Sequence, residues 1–368
     1  MFNFVPLQYY TAIYYAIQFF IVLLVIFYIN THRSMNKSFD RNGAFLLMVF
    51  VVLYMGLRPV SGAYFGDMAN YAFDFEQYQS GNFTSSYTGD AIFNYYQKVC
   101  SSIMNERTWF LLTAFIYVFS IYWACRRMFP QQELISFLVC ITAMSFWSYG
   151  TNGIRNGIAT SLVILAFSFL YRKRKLLLFL FAALLCYLAI GTHKSATLPV
   201  LAALLALFYK NTRLYILFWL GCIVLSILFE SFWENFFSKL GFGEDERFAA
   251  YLTSSDFADQ FSSTGFRWDF LLYSLVPIIL GGYVVIIRRR TDKLYSLLLN
   301  TYIMSNAFWI LIIRASFSNR FAYLSWFLFP IVLIYPVLKF HLWKRQYSKI
   351  ALILFLHFMF TLILWYIK

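Results

Sequence analysis

An arginine and a histidine occupy the far ends of two consecutive apolar stretches in the middle of the chain. The first stretch opens at Arg155, the second closes at His193, and a basic cluster at 172–175 separates them. Each stretch is long enough to cross a bilayer, since about 20 helical residues span roughly 30 Å of hydrocarbon. Two antiparallel crossings return to the same side, so we expect Arg155 and His193 at one membrane level. A cation beside an imidazole there suits an anionic substrate.

Each of these two residues alone also has a purely structural explanation. An arginine at a helix end often extends to the lipid headgroups, and an interfacial histidine is usually only solvated. The hypothesis of a site therefore depends on what the outer ends of the other apolar segments carry.

Further basic residues fall at the predicted outer side of other segments. Arginine in an apolar span is costly, at about 2.5–3.5 kcal/mol at the helix centre, so several of them on one side indicate more than anchoring. The planar paired donors of arginine match phosphate oxygens, and we therefore predict a site for a lipid-linked diphosphate. The outer basic residues are Arg58, Arg155, Lys194, Arg267, Arg314 and Arg320.

His193 and Asp67 are the predicted catalytic residues. An imidazole titrates near neutral pH and can take the proton of a sugar hydroxyl that attacks an activated anomeric carbon. A leaving diphosphate needs positive charge, which arginines supply. Asp67 could orient the acceptor or serve as the base instead. The sequence has no HExxH or DxD motif, and its five cysteines form no CxxC pair, so we expect neither a metal nor a cofactor.

The elements that must position these residues are transmembrane helices. The chain is 61% hydrophobic and 12% charged, with a mean hydropathy of +0.65, which excludes an ordinary soluble domain. We predict an all-α, polytopic integral membrane protein with about 12 transmembrane helices in a single domain over residues 1–368. The apolar segments lie at about 9–30, 42–57, 108–125, 132–149, 154–171, 176–191, 195–209, 214–238, 269–287, 294–314, 319–338 and 349–367.

The basic residues also predict the orientation of the chain. If the first segment runs from outside to inside, the six inner loops hold 19 of the 30 Lys and Arg but only 3 of the 16 Asp and Glu, as the positive-inside rule expects. The net charge of +14 therefore reflects topology and contact with anionic membrane lipids, and it does not indicate nucleic-acid binding. Met1 to Tyr10 carries no charge, so we expect no cleavable signal peptide.

Two long loops are predicted on the outer side, at about 58–107 and 239–268. The first contains stretches such as Ala91 to Cys100 that are typical of amphipathic helices on the membrane surface. The second is acidic and aromatic, a composition that suits either sugar recognition or an ordinary solvated loop. Glu230 and Glu234 lie four residues apart near the outer surface, and we interpret them as interfacial.

Four short motifs follow one another over most of the chain: GDMANYAFDF at 66–75, NGIRNGIATSL at 152–162, THKSA at 192–196 and SNRFAY at 318–323. They resemble the EpsG family of bacterial exopolysaccharide proteins, relatives of the Wzy-type O-antigen and capsule polymerases. The resemblance implies a metal-independent polymerase of the cytoplasmic membrane with a GT-C-like architecture. It further implies that flipped, undecaprenyl-diphosphate-linked oligosaccharides are joined at the outer, periplasmic face, with a chain-length regulator and a flippase as partners.

The resemblance also assigns roles to residues of this chain. It implies that Arg155 and Arg320 bind the diphosphate or the glycan and that His193 is a candidate base. The complete predicted substrate-binding set is Arg58, Tyr71, Arg155, Asn156, Lys194, Arg267, Arg314, Arg320 and Tyr323.

Three other functions stay open on the sequence. A membrane glycosyltransferase with a polyprenyl phosphate donor would use an outer-loop carboxylate, for which Asp67 is the candidate. A flippase or transporter of lipid-linked sugar would carry charges near the bilayer midplane, whereas here most charges lie at segment ends on one side. A membrane O-acyltransferase would receive its donor from the inner face, whereas His193 is predicted outside.

Overall fold

The computed structural model describes residues 4–33, 35–82, 90–170, 176–229, 232–233, 265–315 and 318–367. Within these ranges the regular structure is helical throughout, as the sequence predicts. A 3-10 turn at Lys194–Ala196 and a π-helical segment at Tyr283–Ile287 lie between α-helices. The α-helices are α1 (Leu7–His32), α2 (Lys37–Gly56), α3 (Gly62–Phe65), α4 (Met68–Ser80), α5 (Ala91–Ile103), α6 (Glu106–Met128), α7 (Glu133–Ile141), α8 (Met144–Thr151), α9 (Ile154–Phe169), α10 (Leu176–Thr192), α11 (Thr197–Phe208), α12 (Thr212–Leu228), α13 (Trp268–Gly282), α14 (Lys293–Leu311), α15 (Ser318–Trp326), α16 (Phe329–Lys339) and α17 (Gln346–Ile367).

Contacts divide the chain into two compact units. The first comprises Met1–Ala196 together with Val337–Lys368, and the second comprises Thr197–Pro336. The first unit therefore contains α1 to α10 and α17, and the second contains α11 to α15. The expectation of a single transmembrane domain over residues 1–368 stays a prediction.

Within the described ranges, seven helical segments are long and apolar enough to cross a membrane: α1, α2, α6, α13 with the π-helical segment, α14, α15 with α16, and α17. The pair α7 and α8 would form an eighth span, but the two helices are bent by 70°, so the segment predicted at 132–149 is not one straight helix. Helices also coincide with the four remaining predicted segments, where α9 to α12 are shorter. The protein is thus a multi-pass membrane protein, while the count of twelve spans and the two long periplasmic loops stay predictions.

Polar side chains of α17 compensate the bend between α7 and α8. A bend frees backbone carbonyls, and an unpaired carbonyl in hydrocarbon costs several kcal/mol. Nε2 of His357 lies 3.0 Å from the Val139 carbonyl oxygen, and the Thr361 hydroxyl donates to the Thr142 carbonyl at 2.8 Å. Both side chains are buried, so His357 is a structural histidine of the first unit.

The other end of α7 is capped by a buried carboxylate from α2. Asp40 accepts hydrogen bonds from the backbone N–H groups of Glu133 and Leu134, each at 2.9 Å, and is 1% exposed. The first N–H groups of a helix have no partner within that helix. This cap therefore fixes the start of α7 against α2.

An aromatic cluster holds α1, α2 and α8 together. The Tyr10 hydroxyl donates to the Tyr54 carbonyl at 2.6 Å, and the Tyr54 hydroxyl donates to the Tyr10 carbonyl at 2.8 Å. The rings of Tyr14 and Trp147 pack with their centroids 4.1 Å apart. Aromatic pairs of this kind add about 0.5–1.5 kcal/mol beyond the area that they bury. The cluster fixes α8, which leads directly into α9.

Two glycines allow close approaches that place the ends of α9 and α10. At Gly157 in α9, a Cβ would lie 2.5 Å from the Tyr149 carbonyl oxygen of α8. At Gly191 in α10, a Cβ would lie 2.3 Å from Cδ1 of Ile92 in α5. Since α9 and α10 also pack side by side, these approaches bring the start of α9, the end of α10 and the start of α5 together.

The second unit is held by a buried polar network around α14. Nε1 of Trp219 donates to Oδ1 of Asn306 at 2.8 Å, and Nδ2 of Asn306 donates to the Ser325 hydroxyl at 2.9 Å. Nε1 of Trp326 donates to the Ser274 hydroxyl at 2.7 Å. These side chains lie on α12, α13, α14 and α15, so the network connects four helices of this unit.

Candidate functional site

A buried carboxylate, Asp90, lies at the centre of the candidate site. Its Oδ2 accepts a hydrogen bond from Nη1 of Arg155 at 2.7 Å and lies 3.2 Å from Nδ1 of His193. Its Oδ1 accepts from the backbone N–H of Lys194 at 3.1 Å. Asp90 is 6% exposed, whereas the side chains of Arg155 and His193 are 18% and 26% exposed. The structure thus gathers three of the predicted site residues around one enclosed carboxylate.

Each residue of this Asp90 cluster stands at the end of a helix. Asp90 directly precedes α5, Arg155 lies in the first turn of α9, His193 follows the last residue of α10, and Lys194 opens the 3-10 turn. The first N–H groups of a helical segment lack partners within it, which is why the Lys194 N–H is available to the carboxylate. Asp90 therefore joins three helix ends that are far apart in sequence.

Tyr71 joins the cluster from α4 through Arg155. Nε of Arg155 donates to the Tyr71 hydroxyl at 3.3 Å, and the guanidinium lies 5.8 Å from the centroid of the tyrosine ring. The Tyr71 carbonyl accepts from Nε2 of Gln97 at 2.8 Å, and the ring contacts Phe93 edge-on at 5.7 Å. These contacts fix α4 against α5. Burial raises the pKa of the Tyr71 phenol, so the hydroxyl is neutral at physiological pH.

The electrostatic environment keeps Asp90 ionised. Burial alone would raise the pKa of this carboxyl, because it penalises the charged form. The hydrogen bond from His193, the charge of Arg155 and the Lys194 N–H outweigh that effect and hold the pKa of Asp90 below its ordinary value. A buried charge is tolerated only when it is paired and hydrogen-bonded, and Arg155 supplies the pairing charge.

Asp67, the other predicted catalytic residue, docks beside the junction of α8 and α9. Its backbone N–H donates to Oδ1 of Asn152 at 2.8 Å, and Oδ1 of its carboxylate accepts from Nδ2 of Asn70 at 3.3 Å. The preceding Gly66 has a φ of 57°, which favours glycine, and a Cβ there would lie 2.4 Å from Oδ1 of Asn152. The motifs at 66–75 and 152–162 therefore fit together. Catalysis by Asp67 stays a prediction.

Asn156 carries a buried acceptor next to Arg155 in the first turn of α9. Its Nδ2 donates to the Tyr149 hydroxyl at 3.5 Å. Its Oδ1 is buried and accepts no hydrogen bond from any residue in the described ranges, and the same holds for the Ser195 hydroxyl. Buried polar atoms normally have a partner, so this acceptor is available to a ligand, and the predicted role of Asn156 in substrate binding stays a prediction.

Arg58 is enclosed by the protein. It is 2% exposed, and its guanidinium donates to the carbonyls of Met55 and Thr151, the latter at 3.0 Å. The guanidinium also lies 5.6 and 5.5 Å from the ring centroids of Phe65 and Phe110. In this arrangement Arg58 holds the end of α2 against the end of α8. Binding of substrate would require these bonds to be exchanged, and that role stays a prediction.

Arg267 and Arg314 lie in the second unit beside aromatic rings. Arg267 donates to both carboxylate oxygens of Asp269, from Nε at 2.9 Å and from Nη2 at 2.6 Å, and its guanidinium lies 3.8 Å from the ring centroid of Phe270. Arg314 is half-buried, with its guanidinium 5.4 Å from the ring centroid of Phe266. Their predicted contact with substrate is not tested by this geometry.

The last two predicted ligands, Arg320 and Tyr323, lie on α15 in the second unit. Arg320 is exposed, and the half-buried Tyr323 packs its ring 5.4 Å from Trp326. Glu230, Glu234 and residues 239–264 of the predicted second loop lie outside the described residues. The expectations for them stay predictions.

Among the residues that the structure describes, no three His, Cys, Asp or Glu side chains are grouped closely enough to hold a metal ion. The five cysteines are free, although Sγ of Cys125 lies 3.7 Å from Sγ of Cys140. The expectation of a reaction without metal or cofactor is untested and stays a prediction.

Asp90 is the site residue that sequence reasoning missed. It lies 65 positions from Arg155 and 103 from His193, and no helical periodicity connects residues so far apart. The sequence carries one signal for it, because Asp90 is a carboxylate placed directly before the amphipathic stretch Ala91 to Cys100, where a helix should begin.

The fold and the Asp90 cluster together define a multi-pass membrane protein in which one buried carboxylate joins an arginine and a histidine at helix ends. The EpsG family model matches residues 43–368, which include every residue of the cluster. The chain therefore belongs to the EpsG family and is a membrane protein of polysaccharide biosynthesis. No curated protein and no solved structure shows significant similarity to it.

Proposed function

We propose that the protein is a glycosyltransferase of the polymerase type, which joins undecaprenyl-diphosphate-linked oligosaccharide repeat units at the outer face of the bacterial cytoplasmic membrane. Membership of the EpsG family supports the role in polysaccharide biosynthesis. The observation that carries the proposal is the Asp90 cluster, which sets a fixed cation, Arg155, beside a base, His193. Glycosyl transfer from a diphosphate needs both functions, because a proton must be removed and negative charge must be stabilised.

The proposed reaction is a single displacement at the anomeric carbon of the lipid-linked sugar. A hydroxyl oxygen of the acceptor glycan forms a bond to this carbon as the bond from the carbon to the diphosphate oxygen breaks. The electron pair of the broken bond leaves with the diphosphate, and His193 takes the hydroxyl proton. Arg155 and the exposed Lys194 stabilise the leaving group, since paired N–H donors match phosphate oxygens.

Neutral hydrogen-bonding groups beside this cluster suit the glycan. Oδ1 of Asn156 is an acceptor with no partner among the described residues, and the Tyr71 hydroxyl is fixed by Arg155 at 3.3 Å. We assign the orientation of the acceptor to Asp67, whose carboxylate lies one turn before Tyr71 on α4. Arg267, Arg314, Arg320 and Tyr323 lie in the second unit, and we keep them as proposed substrate ligands of that unit.

The proposed topology has twelve spans with the N-terminus outside. Helices coincide with all twelve apolar segments of the sequence, and the basic residues are concentrated in the predicted inner loops. This orientation puts the ends of α9 and α10 that carry Arg155 and His193 at the periplasmic side. A flippase that supplies the lipid-linked substrate and a chain-length regulator are the proposed partners.

The proposal is tested with purified protein and a synthetic repeat unit on undecaprenyl diphosphate. The masses of the glycan products are measured for the wild type and for Arg155→Ala and His193→Gln, with and without a chelator. Lys98→Ala and His32→Gln are matched controls, because both are exposed residues outside the Asp90 cluster. We expect dimers and longer oligomers with the wild type and the controls, and about 10²–10⁴-fold less product with the two cluster variants.

Each other outcome points to a different function. Addition of one sugar from a polyprenyl phosphate donor, with loss of activity in Asp67→Asn, would favour a single-sugar glycosyltransferase. Movement of intact lipid-linked glycan across a vesicle membrane without new glycosidic bonds would favour a transporter. Either result would overturn the polymerase proposal, and inhibition by the chelator would overturn metal independence.

A further inference from the structure

The contact between Asp90 and His193 involves a particular ring nitrogen. Nδ1 of His193 lies 3.2 Å from Oδ2 and 3.4 Å from Oδ1 of the carboxylate. We propose that Asp90 is a positioning residue that holds the neutral His193 imidazole with its proton on Nδ1, so that Nε2 is the basic atom. The catalytic consequence rests on the proposed function, whereas the assignment of the proton does not.

The hydrogen bonds around Asp90 determine where the proton lies. An ionised carboxylate has acceptors only, so a hydrogen bond to it requires the proton to be on Nδ1. The carboxylate also accepts from Nη1 of Arg155 at 2.7 Å and from the Lys194 N–H at 3.1 Å. These two donors favour the charged form of Asp90 and fix its orientation from two other helix ends.

The charge of Asp90 is paired within the cluster. Arg155 balances it across a 2.7 Å ion pair. Among the described residues of the cluster, the other titratable groups are the Tyr71 phenol, which reaches Asp90 through Arg155, and the exposed Lys194. The carboxylate therefore has a partner of opposite charge without any contribution from His193.

A proton fixed on Nδ1 makes Nε2 the atom of the imidazole that acts as the base. In the neutral ring only the other nitrogen, Nε2, has a lone pair that can accept a proton. The acceptor hydroxyl passes its proton to Nε2 as its oxygen attacks the anomeric carbon, and the imidazolium that forms is paired with Asp90. A carboxylate behind a histidine base orients the ring and stabilises this imidazolium without itself taking the proton.

A purely structural explanation is that Asp90 only ties helix ends together. Asp90→Asn separates the two explanations, because asparagine has nearly the same shape and its Oδ1 can still accept from the Lys194 N–H, which puts its Nδ2 in the place of Oδ2 opposite Nδ1 of His193. Its Nδ2, however, is a donor. A donor facing Nδ1 of His193 makes that nitrogen the acceptor and places the ring proton on Nε2.

The direct test is ¹⁵N NMR of the full-length protein labelled at histidine, in lipid nanodiscs at about pH 8, where imidazoles are mostly neutral. The chain has four histidines, and the difference from His193→Gln assigns the signals of His193. We expect the Nδ1–H tautomer in the wild type and the Nε2–H tautomer in Asp90→Asn. Asp67→Asn is the matched control, and it should leave the tautomer of His193 unchanged.

Two spectroscopic results would overturn the proposal. One is an Nε2–H tautomer of His193 in the wild type, and the other is an Nδ1–H tautomer that persists in Asp90→Ala, which offers Nδ1 neither a carboxylate nor an amide oxygen. This readout requires no substrate, so it stands or falls separately from the polymerase proposal.

Steady-state kinetics distinguish a positioning role of Asp90 from a role in substrate binding. With the synthetic lipid-linked repeat unit, Asp90→Asn should lower kcat by about 10²–10⁴-fold with little change of KM, the usual contribution of a general base, while Arg155→Lys, at a proposed ligand of the diphosphate, should change KM as well as kcat. An equal rise of KM in both variants with unchanged kcat would overturn the positioning role.

Discussion

Replacement of Gly157 by alanine tests whether the contact between α8 and α9 positions Arg155. Gly157 lies in the first turn of α9, and a Cβ there would lie 2.5 Å from the backbone oxygen of Tyr149 and 3.1 Å from its carbonyl carbon. A contact below 3.0 Å forces one of the two groups to move. A backbone carbonyl cannot rotate away as a side chain can, so the start of α9 must shift by nearly 1 Å to reach ordinary contact.

The expected size of the effect follows from two opposing contributions. Alanine in a helix is favoured over glycine by about 0.5–1 kcal/mol. Overpacking typically costs about 1–3 kcal/mol, and the larger values apply where the neighbouring atoms are fixed. We therefore expect Gly157→Ala to lower the free energy of unfolding by about 1–2 kcal/mol. A displacement of about 1 Å at a positioning group costs on the order of 10²-fold in rate. The rate of product formation should therefore fall by more than the loss of folded protein alone would explain.

Two other glycines provide matched controls for the same substitution. At Gly221 in α12, among the described residues, no heavy atom outside the backbone of its own helix lies within 4 Å of the added Cβ, so Gly221→Ala should raise the free energy of unfolding by about 0.5–1 kcal/mol. At Gly191 the nearest atoms, 2.3 and 2.5 Å away, belong to the side chain of Ile92. Ile92→Ala removes both of them, so it should rescue part of the loss in Gly191→Ala.

Thermal unfolding of the purified variants in one detergent, followed by tryptophan fluorescence, measures the stability of each substitution. The lipid-linked repeat unit reports activity in parallel. A midpoint for Gly157→Ala that rises as much as that of Gly221→Ala, with full activity, would refute the reasoning. It would show that α9 tolerates displacement from α8 and that Arg155 is positioned by other contacts.

Three further predictions concern buried polar groups. The pKa of Asp90 is lowered on folding from its ordinary value of 3.8. The contribution of Asp90 to stability is therefore fully present above that value and is lost as the pH falls through the lower, folded pKa. When the unfolding midpoint is measured against pH, it should fall less steeply at acid pH in Asp90→Asn than in the wild type. Asp40→Ala removes the cap of α7, and denaturant titration should show a loss of about 1–2 kcal/mol that Asp40→Asn partly restores. His357→Leu leaves the Val139 carbonyl without this donor and should cost about 1–3 kcal/mol, whereas the same change at the exposed His341 should leave the unfolding midpoint unchanged.

The sequence predicts the helices better than it predicts how they meet. Apolar length alone identifies the segments that become α9 and α10, because a helix in a membrane must satisfy its backbone internally. The 70° bend between α7 and α8 was not predictable in this way. It depends on donors from α17, such as Thr361, which lies 219 positions from the carbonyl it pairs with.

In the candidate site, too, residues marked by their neighbours in sequence were predictable, whereas a residue whose partners are distant in sequence was not. Arg155 and His193 stand out because each is polar at the edge of an apolar stretch. Asp90 does not, since it lies in a long loop and acquires its partners only when α5 packs against α10. Arg58 shows a second limit of sequence reasoning. The sequence does not distinguish it from an exposed arginine, yet it is 2% exposed and bonded to backbone carbonyls.

The pairing of Asp90 with Arg155 determines when positive charge appears on the cluster during the proposed reaction. While the imidazole is uncharged, the ion pair leaves the enclosed part of the cluster without net charge before transfer. Transfer of the hydroxyl proton to His193 raises that charge by one as the diphosphate leaves with an additional negative charge. Positive charge that develops together with the negative charge of the leaving group stabilises the transition state more than the bound substrate, and this difference is what accelerates a reaction. An arginine left without Asp90 would carry an uncompensated charge before transfer as well, so a larger share of its attraction would go to binding of the substrate and a smaller share to the rate.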